Sequence, residues 1–172
     1  EFEADRLSSE HARLGTEVHA LIEAWARQQV GLAAEDHDVS DKAHFLFDDF
    51  LSWAGKENMK VLAPEMRVAS AKFSFAGTLD LLSVVDDSLC VWDWKTKTGA
   101  LYAEERLQLA AYRYCVQEAT GIQPIGRVLR IPKDGSEIKV LDPDEKTTYQ
   151  KTLMAFLALR SIYDWMRSLK AR

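Results

Sequence analysis

Two periods of apolar residues alternate along the chain, and the change from one to the other separates helices from strands. Between about residues 5 and 30, large apolar side chains recur every three or four positions, as they do on one face of a helix. Phenylalanine, leucine and tryptophan recur in the same way over 45–53. This second helix is expected to begin after Ser40 or Asp41, because either side chain can cap a helix N-terminus.

The middle of the chain changes to the pattern of β-strands. Apolar and β-branched residues favour strands at about 60–70, 73–86 and 89–96. The Asp-Asp-Ser segment at 86–88 consists of turn formers, so the second and third strands are expected to form a hairpin.

The last part of the chain is predicted to hold a helix, two strands and a final helix. They lie at about 103–118, at 125–132 and 136–141, and from Pro143 onward. Gly121 ends the first of these helices, and the Lys-Asp-Gly turn at 133–135 joins the two strands. The order ααβββαββα predicts an α/β (α+β) fold with a central mixed β-sheet flanked by helices, in a single domain spanning 1–172.

Length and composition agree with one globular domain, since the 172 residues are 47% hydrophobic and 28% charged. No apolar run approaches the roughly 20 residues of a membrane span, and no signal peptide is evident. We therefore expect no membrane partner and a cytoplasmic location. Cys90 and Cys115 lie far apart in apolar surroundings, which is typical of core thiols in a reducing compartment. Two cysteines alone do not supply the thiolates of an iron–sulfur cluster, so no such cluster is expected.

Charge is spread unevenly over the chain. The net charge of −5 argues against a protein that coats nucleic acid non-specifically. Residues 95–133 nevertheless hold seven basic and three acidic residues, a local excess of +4. This excess points weakly to an anionic ligand on one side of the molecule.

The chemistry that stands out is a group of charged residues within apolar strands. Asp80 lies on one predicted strand, and Asp93 and Lys95 lie two residues apart on the next. Because strand side chains alternate between faces, Asp93 and Lys95 point one way while Trp92 and Trp94 point the other. Burying such charges is expensive unless they bind something, and a hard divalent cation is the obvious ligand. The pattern indicates a metal-dependent phosphodiesterase.

The Asp/Glu-x-Lys spacing is by itself weak, since two further matches have structural explanations. Glu137 and Lys139 fit a cross-strand charge pair on a hairpin. The match at 144–146 follows Pro143 at a predicted helix start, where acidic residues favour the helix dipole.

The neighbouring polar residues have structural alternatives as well. His19 and Glu23 lie one helical turn apart and could hydrogen-bond to each other. Glu65 could be an exposed strand residue paired with Arg67. Gln108 and the tyrosine four residues later could belong to the exposed face of a surface helix.

Five short motifs nevertheless follow one another between about residues 10 and 115. They are Gly15-Thr16-Glu17-Val18-His19 with Glu23, then Glu65, then Gly77-Thr78-Leu79-Asp80, then Asp93-Trp94-Lys95-Thr96, and finally Gln108 with Tyr112. Their order and spacing resemble the PD-(D/E)XK nuclease superfamily, specifically its RecB-like exonuclease branch. The resemblance implies a restriction-endonuclease-like core. The segment that often grips DNA before the histidine helix in relatives is expected to be short or missing here.

Asp80 and Asp93, with the main-chain carbonyl of Trp94, are expected to hold Mg²⁺ or Mn²⁺, since oxygen donors suit both ions. The resemblance implies that His19 adds a nitrogen ligand, which would favour Mn²⁺. Lys95 would orient the attacking water or stabilise charge on the phosphate.

The resemblance also assigns roles around this centre. Gln108 and Tyr112 would hold the phosphate or Lys95 from the following helix. Glu65 and Glu23 are candidate supporting residues. Three basic residues are candidates for contacts with DNA phosphates, namely Lys97, Arg106 and Arg113.

The function expected from these features is that of a metal-dependent DNA exonuclease. It would hydrolyse phosphodiester bonds in single-stranded DNA or at DNA ends during replication, recombination or repair, in a bacterial or phage-infected cell. A larger DNA-processing complex is an expected setting. The alternatives are an endonuclease or recombination-type nuclease of the same fold, a catalytically silent nucleic-acid-binding module, and a structural domain with a buried Asp93–Lys95 ion pair.

Overall fold

The helices and strands follow one another in the predicted order. The protein is described by a computed structural model that covers residues 2–170, with side chains from residue 9 onward. Its elements are α1 (Phe2–Gln29), α2 (Asp41–Ala54), β1 (Met59–Ser70), β2 (Phe75–Val85), β3 (Ser88–Lys95), α3 (Ala103–Thr120), β4 (Ile125–Arg130), β5 (Lys139–Leu141) and α4 (Tyr149–Lys170). The predicted order ααβββαββα is confirmed.

The strands form a five-stranded sheet in the order β1-β2-β3-β4-β5 within the described residues. The β3–β4 pair is parallel, and the β1–β2, β2–β3 and β4–β5 pairs are antiparallel. Helix α3 connects the two parallel strands, as a parallel pair requires a crossover connection. The prediction of a central mixed sheet with flanking helices is therefore confirmed.

Two predicted boundaries near the C-terminus are wrong. Strand β5 is only three residues long, and α4 begins at Tyr149 rather than directly after Pro143. Turns occupy the intervening residues, with the Glu145 N–H donating to the Asp142 carbonyl at 3.4 Å. Helix α4 starts only where the Thr148 hydroxyl can accept a hydrogen bond from a backbone N–H of its first turn.

The turn and cap residues behave as their sequence predicts. Asp86 and Asp87 have φ of 46° and 62° and form the two-residue turn between β2 and β3. Gly121 ends α3 with φ of 75°. Ser40 caps α2, and its hydroxyl also donates to Glu17 Oε2 at 2.5 Å, which ties the start of α2 to α1.

Helices cover both faces of the sheet. On one face, α1 and α2 pack against Trp92 and Trp94, with the fully buried Phe50 ring 5.9 Å from the ring of Trp94. On the other face, α3 packs against a cluster that includes Val91. The side chains of β3 therefore alternate between the two faces as predicted. Trp92 and Trp94 lie on the face covered by α1 and α2, and Asp93 and Lys95 lie on the opposite face. Cys90 lies in this apolar interior as a buried free thiol.

In the described part of the chain, no helix combines the length and the apolar character needed to cross a membrane.

Helix α1 passes close to Thr96, the residue after β3, at Gly15. A Cβ atom at this position would lie 2.8 Å from the Thr96 Oγ1 atom. His19 lies one turn further along the same helix. The missing side chain at Gly15 therefore allows α1 to bring His19 close to the end of β3.

We predict that Gly15→Ala lowers the free energy of unfolding by about 1–3 kcal/mol, because the new methyl group overpacks against Thr96. At an unobstructed helix position the same change would stabilise by about 1 kcal/mol. Urea denaturation measures the difference. The destabilisation should shrink when Thr96→Ala removes the opposing hydroxyl, and a stabilising Gly15→Ala would contradict the close packing.

Candidate active site

Strands β2 and β3 part at Asp80. Their antiparallel pairing runs from Val85–Ser88 as far as Leu81–Trp92 and stops there. The next available N–H on β3, that of Trp94, donates to Asp80 Oδ2 at 2.5 Å. The Asp80 carboxylate thus takes the place of a backbone carbonyl as the acceptor, and the buried Trp94 N–H remains hydrogen-bonded.

The partner strand β1 is irregular at the same level. Pairing joins Pro64 to Leu81 and Met66 to Leu79, which leaves Glu65 and Asp80 opposite each other without a ladder pair. Glu65 has φ of 43°, a left-handed conformation that is uncommon for a residue with a side chain. The sheet is therefore distorted on both sides of Asp80.

The carboxyl group of Asp93 is buried and forms an ion pair with Lys95. Asp93 is 2% exposed. Lys95 Nζ donates to Oδ1 at 2.8 Å and lies 2.7 Å from Oδ2. Oδ2 is buried, and among the described residues it accepts no hydrogen bond of acceptable geometry. This oxygen has the Lys95 ammonium as an ion-pair partner but no aligned hydrogen bond, so its remaining lone pairs can bind a cation.

The two aspartates oppose each other's ionisation. Burial and the nearby Asp80 carboxylate raise the pKa of Asp93 to about 6, although the Lys95 ammonium favours the charged form. Burial also raises the pKa of Asp80, against the effects of the Trp94 N–H and Lys95. Burial explains the direction of the pKa shift at both residues, and the like charge of Asp80 adds to it at Asp93.

Glu65 joins this group of carboxylates. Loss of solvation around its carboxyl group, and then the charges of Asp80 and Glu23, raise the pKa of Glu65 to about 7. Among the described side chains no ion pair connects Glu65 to Arg67, which was its structural alternative. Glu23, whose structural alternative was a hydrogen bond to His19, forms an ion pair with Arg27 at 3.5 Å within α1.

His19 reaches the same place from α1. Burial and the positive charge of Lys95 lower its pKa, whereas Asp93 and a hydrogen bond with the backbone of Trp94 act in the opposite direction. A lowered pKa favours the neutral imidazole, which is the form that can bind a metal. The ring thus lies near the residue whose main-chain carbonyl was predicted as a ligand.

These donors fit a divalent cation in kind, although not as a preformed cluster. In the portion of the chain that the structure describes, no three His, Cys, Asp or Glu side chains form a group that could hold a metal ion. Lys95 engages the Asp93 carboxylate, and the Trp94 N–H engages Asp80. The buried Oδ2 of Asp93 and the mutual repulsion of the carboxylates are the features that fit a Mg²⁺ or Mn²⁺ ion.

Gln108 and Tyr112 lie beside β2 rather than on Lys95. Gln108 Nε2 donates to the Tyr112 hydroxyl at 2.9 Å. The Tyr112 ring lies over Gly77, where a Cβ atom would meet it at 2.5 Å. Both residues line a largely apolar cavity of about 460 Å³ between β2, α3 and α4. The pair therefore supports the strand that carries Asp80, and within the described residues it makes no hydrogen bond to Lys95.

A buried ion pair behind the site has no signal in the sequence. Arg130 donates to both oxygens of Glu105, at 2.9 and 2.6 Å, and to the carbonyl of Ala100 at 3.0 Å. Lys97 Nζ lies 2.8 Å from Glu105 Oε1. Burial alone would raise the pKa of Glu105, but the hydrogen bonds from Arg130 and Lys97 outweigh it and hold that pKa at about 2. The pair fixes the loop that follows Lys95.

The three predicted phosphate-binding residues have different environments. Lys97 is 40% exposed, and its ammonium lies 4.2 Å from the centroid of the Tyr102 ring. Arg106 donates to the carbonyl of Pro143. Both side chains are partly exposed, so a role in binding phosphate is still a prediction for them.

For Arg113 the prediction is corrected. Its guanidinium is buried, donates to the Pro124 carbonyl and to Asp144 at 2.9 Å each, and stacks on Tyr149. The side chain holds the segment before α4 and cannot reach a nucleic acid. Helical periodicity alone did not identify this orientation, because the partners of Arg113 come from later in the chain.

Comparison with solved structures gives only weak similarities. The crystal structure of a repair endonuclease from Pyrococcus abyssi is 21% identical over 56% of this chain, with a TM-score of 0.37. A structure described as an EndoMS–dsDNA2 complex is 18% identical over the same share, also with a TM-score of 0.37. This chain spans 40% of the length of each. No curated protein sequence matches it significantly.

A protein-family comparison gives a stronger result. The model of the PD-(D/E)XK nuclease superfamily matches residues 41–164, which is more than two thirds of the chain. The matched part contains Glu65, Asp80, Asp93 and Lys95, whereas His19 on α1 precedes it. The chain belongs to the PD-(D/E)XK nuclease superfamily.

Proposed function

We propose that the protein is a Mg²⁺- or Mn²⁺-dependent deoxyribonuclease that hydrolyses phosphodiester bonds at the site formed by Asp80, Asp93 and Lys95. The observation that carries this proposal is the buried Asp93 carboxylate, whose Oδ2 accepts no hydrogen bond in the described structure, beside a second carboxylate that raises its pKa. Family membership supports the same reaction class.

The metal would be held by the two aspartates, the main-chain carbonyl of Trp94 and the neutral ring of His19. When bound there, such an ion would polarise a phosphate and lower the pKa of a bound water. Asp80 would keep its place because the Trp94 N–H fixes one of its oxygens. The lowered pKa of His19 keeps its ring available as a nitrogen donor at neutral pH.

Lys95 acts from the open side of this group. Its side chain is 25% exposed and lines a cleft of about 270 Å³ that also contains His19. From there the ammonium would donate hydrogen bonds to the attacking water or to the phosphate, a preorganised electrostatic role. Gln108 and Tyr112 would position the strand of Asp80 through Gly77 and contact the phosphate from α3.

The exonuclease assignment and the preference for single strands or ends belong to the proposal as well. The His19 helix and the Gln108–Tyr112 pair, which resemble the RecB-like branch, support this assignment. In this proposal the enzyme acts in DNA replication, recombination or repair within a larger complex in the bacterial or phage-infected cell.

Removal of the central charges should abolish cleavage. With Mg²⁺ or Mn²⁺, the wild type should degrade end-labelled linear single-stranded DNA, and Asp93→Ala and Lys95→Ala should each slow this at least about 100-fold. The matched controls are Glu137→Ala and Lys139→Ala, which alter another Glu-x-Lys pair at exposed positions and should keep the wild-type rate.

Wild-type activity in both Asp93→Ala and Lys95→Ala would falsify the site assignment. Cutting of circular single-stranded DNA at a comparable rate would favour the endonuclease alternative over the exonuclease. Metal binding without cleavage of any substrate would favour the catalytically silent module.

The raised pKa of Asp93 predicts how the stability of the metal-free protein depends on pH. The Asp93 carboxyl group binds its proton more tightly in the folded state than in the unfolded state, so its protonation stabilises the fold. This contribution to the free energy of unfolding is fully present below about pH 4 and is lost as the pH rises through about 6. The free energy of unfolding of the wild type, minus that of Asp93→Asn, should therefore fall by about 1–3 kcal/mol between pH 4 and 7.

Asp134 provides a control of opposite sign. Hydrogen bonds from Ser136 hold the pKa of Asp134 below its usual range. The corresponding difference for Asp134→Asn should therefore rise as the pH increases through the acidic range. Urea denaturation in EDTA at each pH measures both differences in the free energy of unfolding. If the wild type became more stable relative to Asp93→Asn as the pH rises, the raised pKa of the buried Asp93 carboxyl group would be contradicted.

A further inference from the structure

A groove leads away from Lys95 along the surface of the protein. Two adjoining clefts, of about 270 and 420 Å³, share the lining residues His11, Thr96, Lys97 and Lys133. The first cleft includes Lys95, and the second extends to Lys42. We call this surface the basic groove, defined by His11, Lys42, Lys95, Lys97 and Lys133.

Separate parts of the chain contribute these residues. His11 lies on α1, Lys42 in the first turn of α2, Lys97 in the loop after β3, and Lys133 in the turn between β4 and β5. The convergence depends on tertiary structure, since Lys42 and Lys133 lie about 90 residues apart on different elements. The sequence assigned no role to His11.

The lysines are placed where their charges are unfavourable. A cation in the first turn of a helix, as at Lys42, is opposed by the helix dipole. Burial, and then the charge of Lys42, lower the pKa of Lys133. An arrangement that holds like charges together is stabilised when an anion binds between them.

Protein groups compensate this charge only in part, since Lys95 is paired with Asp93 and the Asp134 carboxylate interacts favourably with Lys42. Within the residues that the structure describes, no ion pair involves Lys42 or Lys133, and Lys133 Nζ donates to the His11 carbonyl at 2.5 Å. Asp134 also lines the groove, but its carboxylate accepts hydrogen bonds from the Ser136 N–H at 3.0 Å and from the Ser136 hydroxyl at 2.7 Å. Lys97 shares the carboxylate of Glu105 with Arg130.

We infer that the basic groove binds the phosphodiester backbone of the substrate strand as it extends from the carboxylate site, with Lys42 and Lys133 each contacting a phosphate. This inference rests on the proposed nuclease function. The groove begins at Lys95, beside the carboxylates where a phosphate would be cleaved, and continues as an open cleft lined by lysine, threonine, histidine and aspartate residues. Phosphate contacts of this kind fix the position of a strand without reading its bases.

The basic groove also replaces part of the sequence-based prediction. Arg113 is buried, and Arg106 binds the carbonyl of Pro143. Of the predicted phosphate contacts only Lys97 lines the basic groove. The structure thus shifts the expected path of the strand from α3 toward α1, α2 and the β4–β5 turn.

Salt-dependent binding tests this path without cleavage. Fluorescence anisotropy of a fluorescein-labelled 20-mer oligothymidine in EDTA, between about 50 and 200 mM salt, gives the slope of log K against log salt concentration. Removal of one phosphate-binding lysine should reduce this slope by about 0.7 for a single strand, so Lys42→Gln/Lys133→Gln should reduce it by about 1.4. Lys42→Gln alone, at an exposed position, should reduce it by about 0.7.

The matched control is Lys146→Gln/Lys151→Gln, which removes two exposed lysines outside the groove and should keep the wild-type slope. An abasic strand of the same length should compete within about tenfold of oligothymidine, because the groove contacts phosphates. Equal slopes for both double variants, or failure of the abasic strand to compete, would overturn the inference.

The outcome is separable from that of the nuclease assignment. If the wild type cleaves DNA but the groove variant keeps the wild-type slope, the groove assignment is wrong and the nuclease function stands. If the slope falls as expected but the wild type cleaves no DNA, the groove stands as a nucleic-acid-binding surface and the nuclease function is wrong.

Discussion

The separation of β2 from β3 at Asp80 is the constraint on which the rest of the site depends. Once the ladder stops at Leu81–Trp92, the Trp94 N–H takes the Asp80 carboxylate as its acceptor. Asp93, still fixed in β3 by its pairing with β4, is then held near a second negative charge. Two carboxylates in this environment are unfavourable unless a cation is present. The Lys95 ammonium supplies one positive charge, and the proposed metal ion would supply further positive charge.

The surrounding structure keeps this unfavourable arrangement in place. The bidentate Glu105–Arg130 pair fixes the loop that follows Lys95. On the other side, the absence of a side chain at Gly15 lets α1 approach Thr96 and places His19 near Trp94. Rigid support of this kind is what a preorganised electrostatic site requires.

The order of elements, the mixed sheet and the placement of Trp92 and Trp94 on the opposite face of β3 from Asp93 could be predicted, because each follows from a local period or a turn signal. The same periodicity misled for Arg113, since its hydrogen-bond acceptors belong to Pro124 and Asp144, later in the chain. It also gave no sign of the Glu105–Arg130 pair or of the basic groove. These features depend on residues brought together by the fold, for which spacing along one element carries no information.

The central claim is that Asp80 and Asp93 together bind a divalent metal, and anomalous diffraction from crystals soaked in Mn²⁺ tests it most directly. The account predicts one strong anomalous peak within bonding distance of a carboxylate oxygen of each aspartate and of the Trp94 carbonyl, with the His19 ring adjacent. No peak at this position at saturating Mn²⁺, with the Asp93–Lys95 ion pair unchanged, would contradict the account.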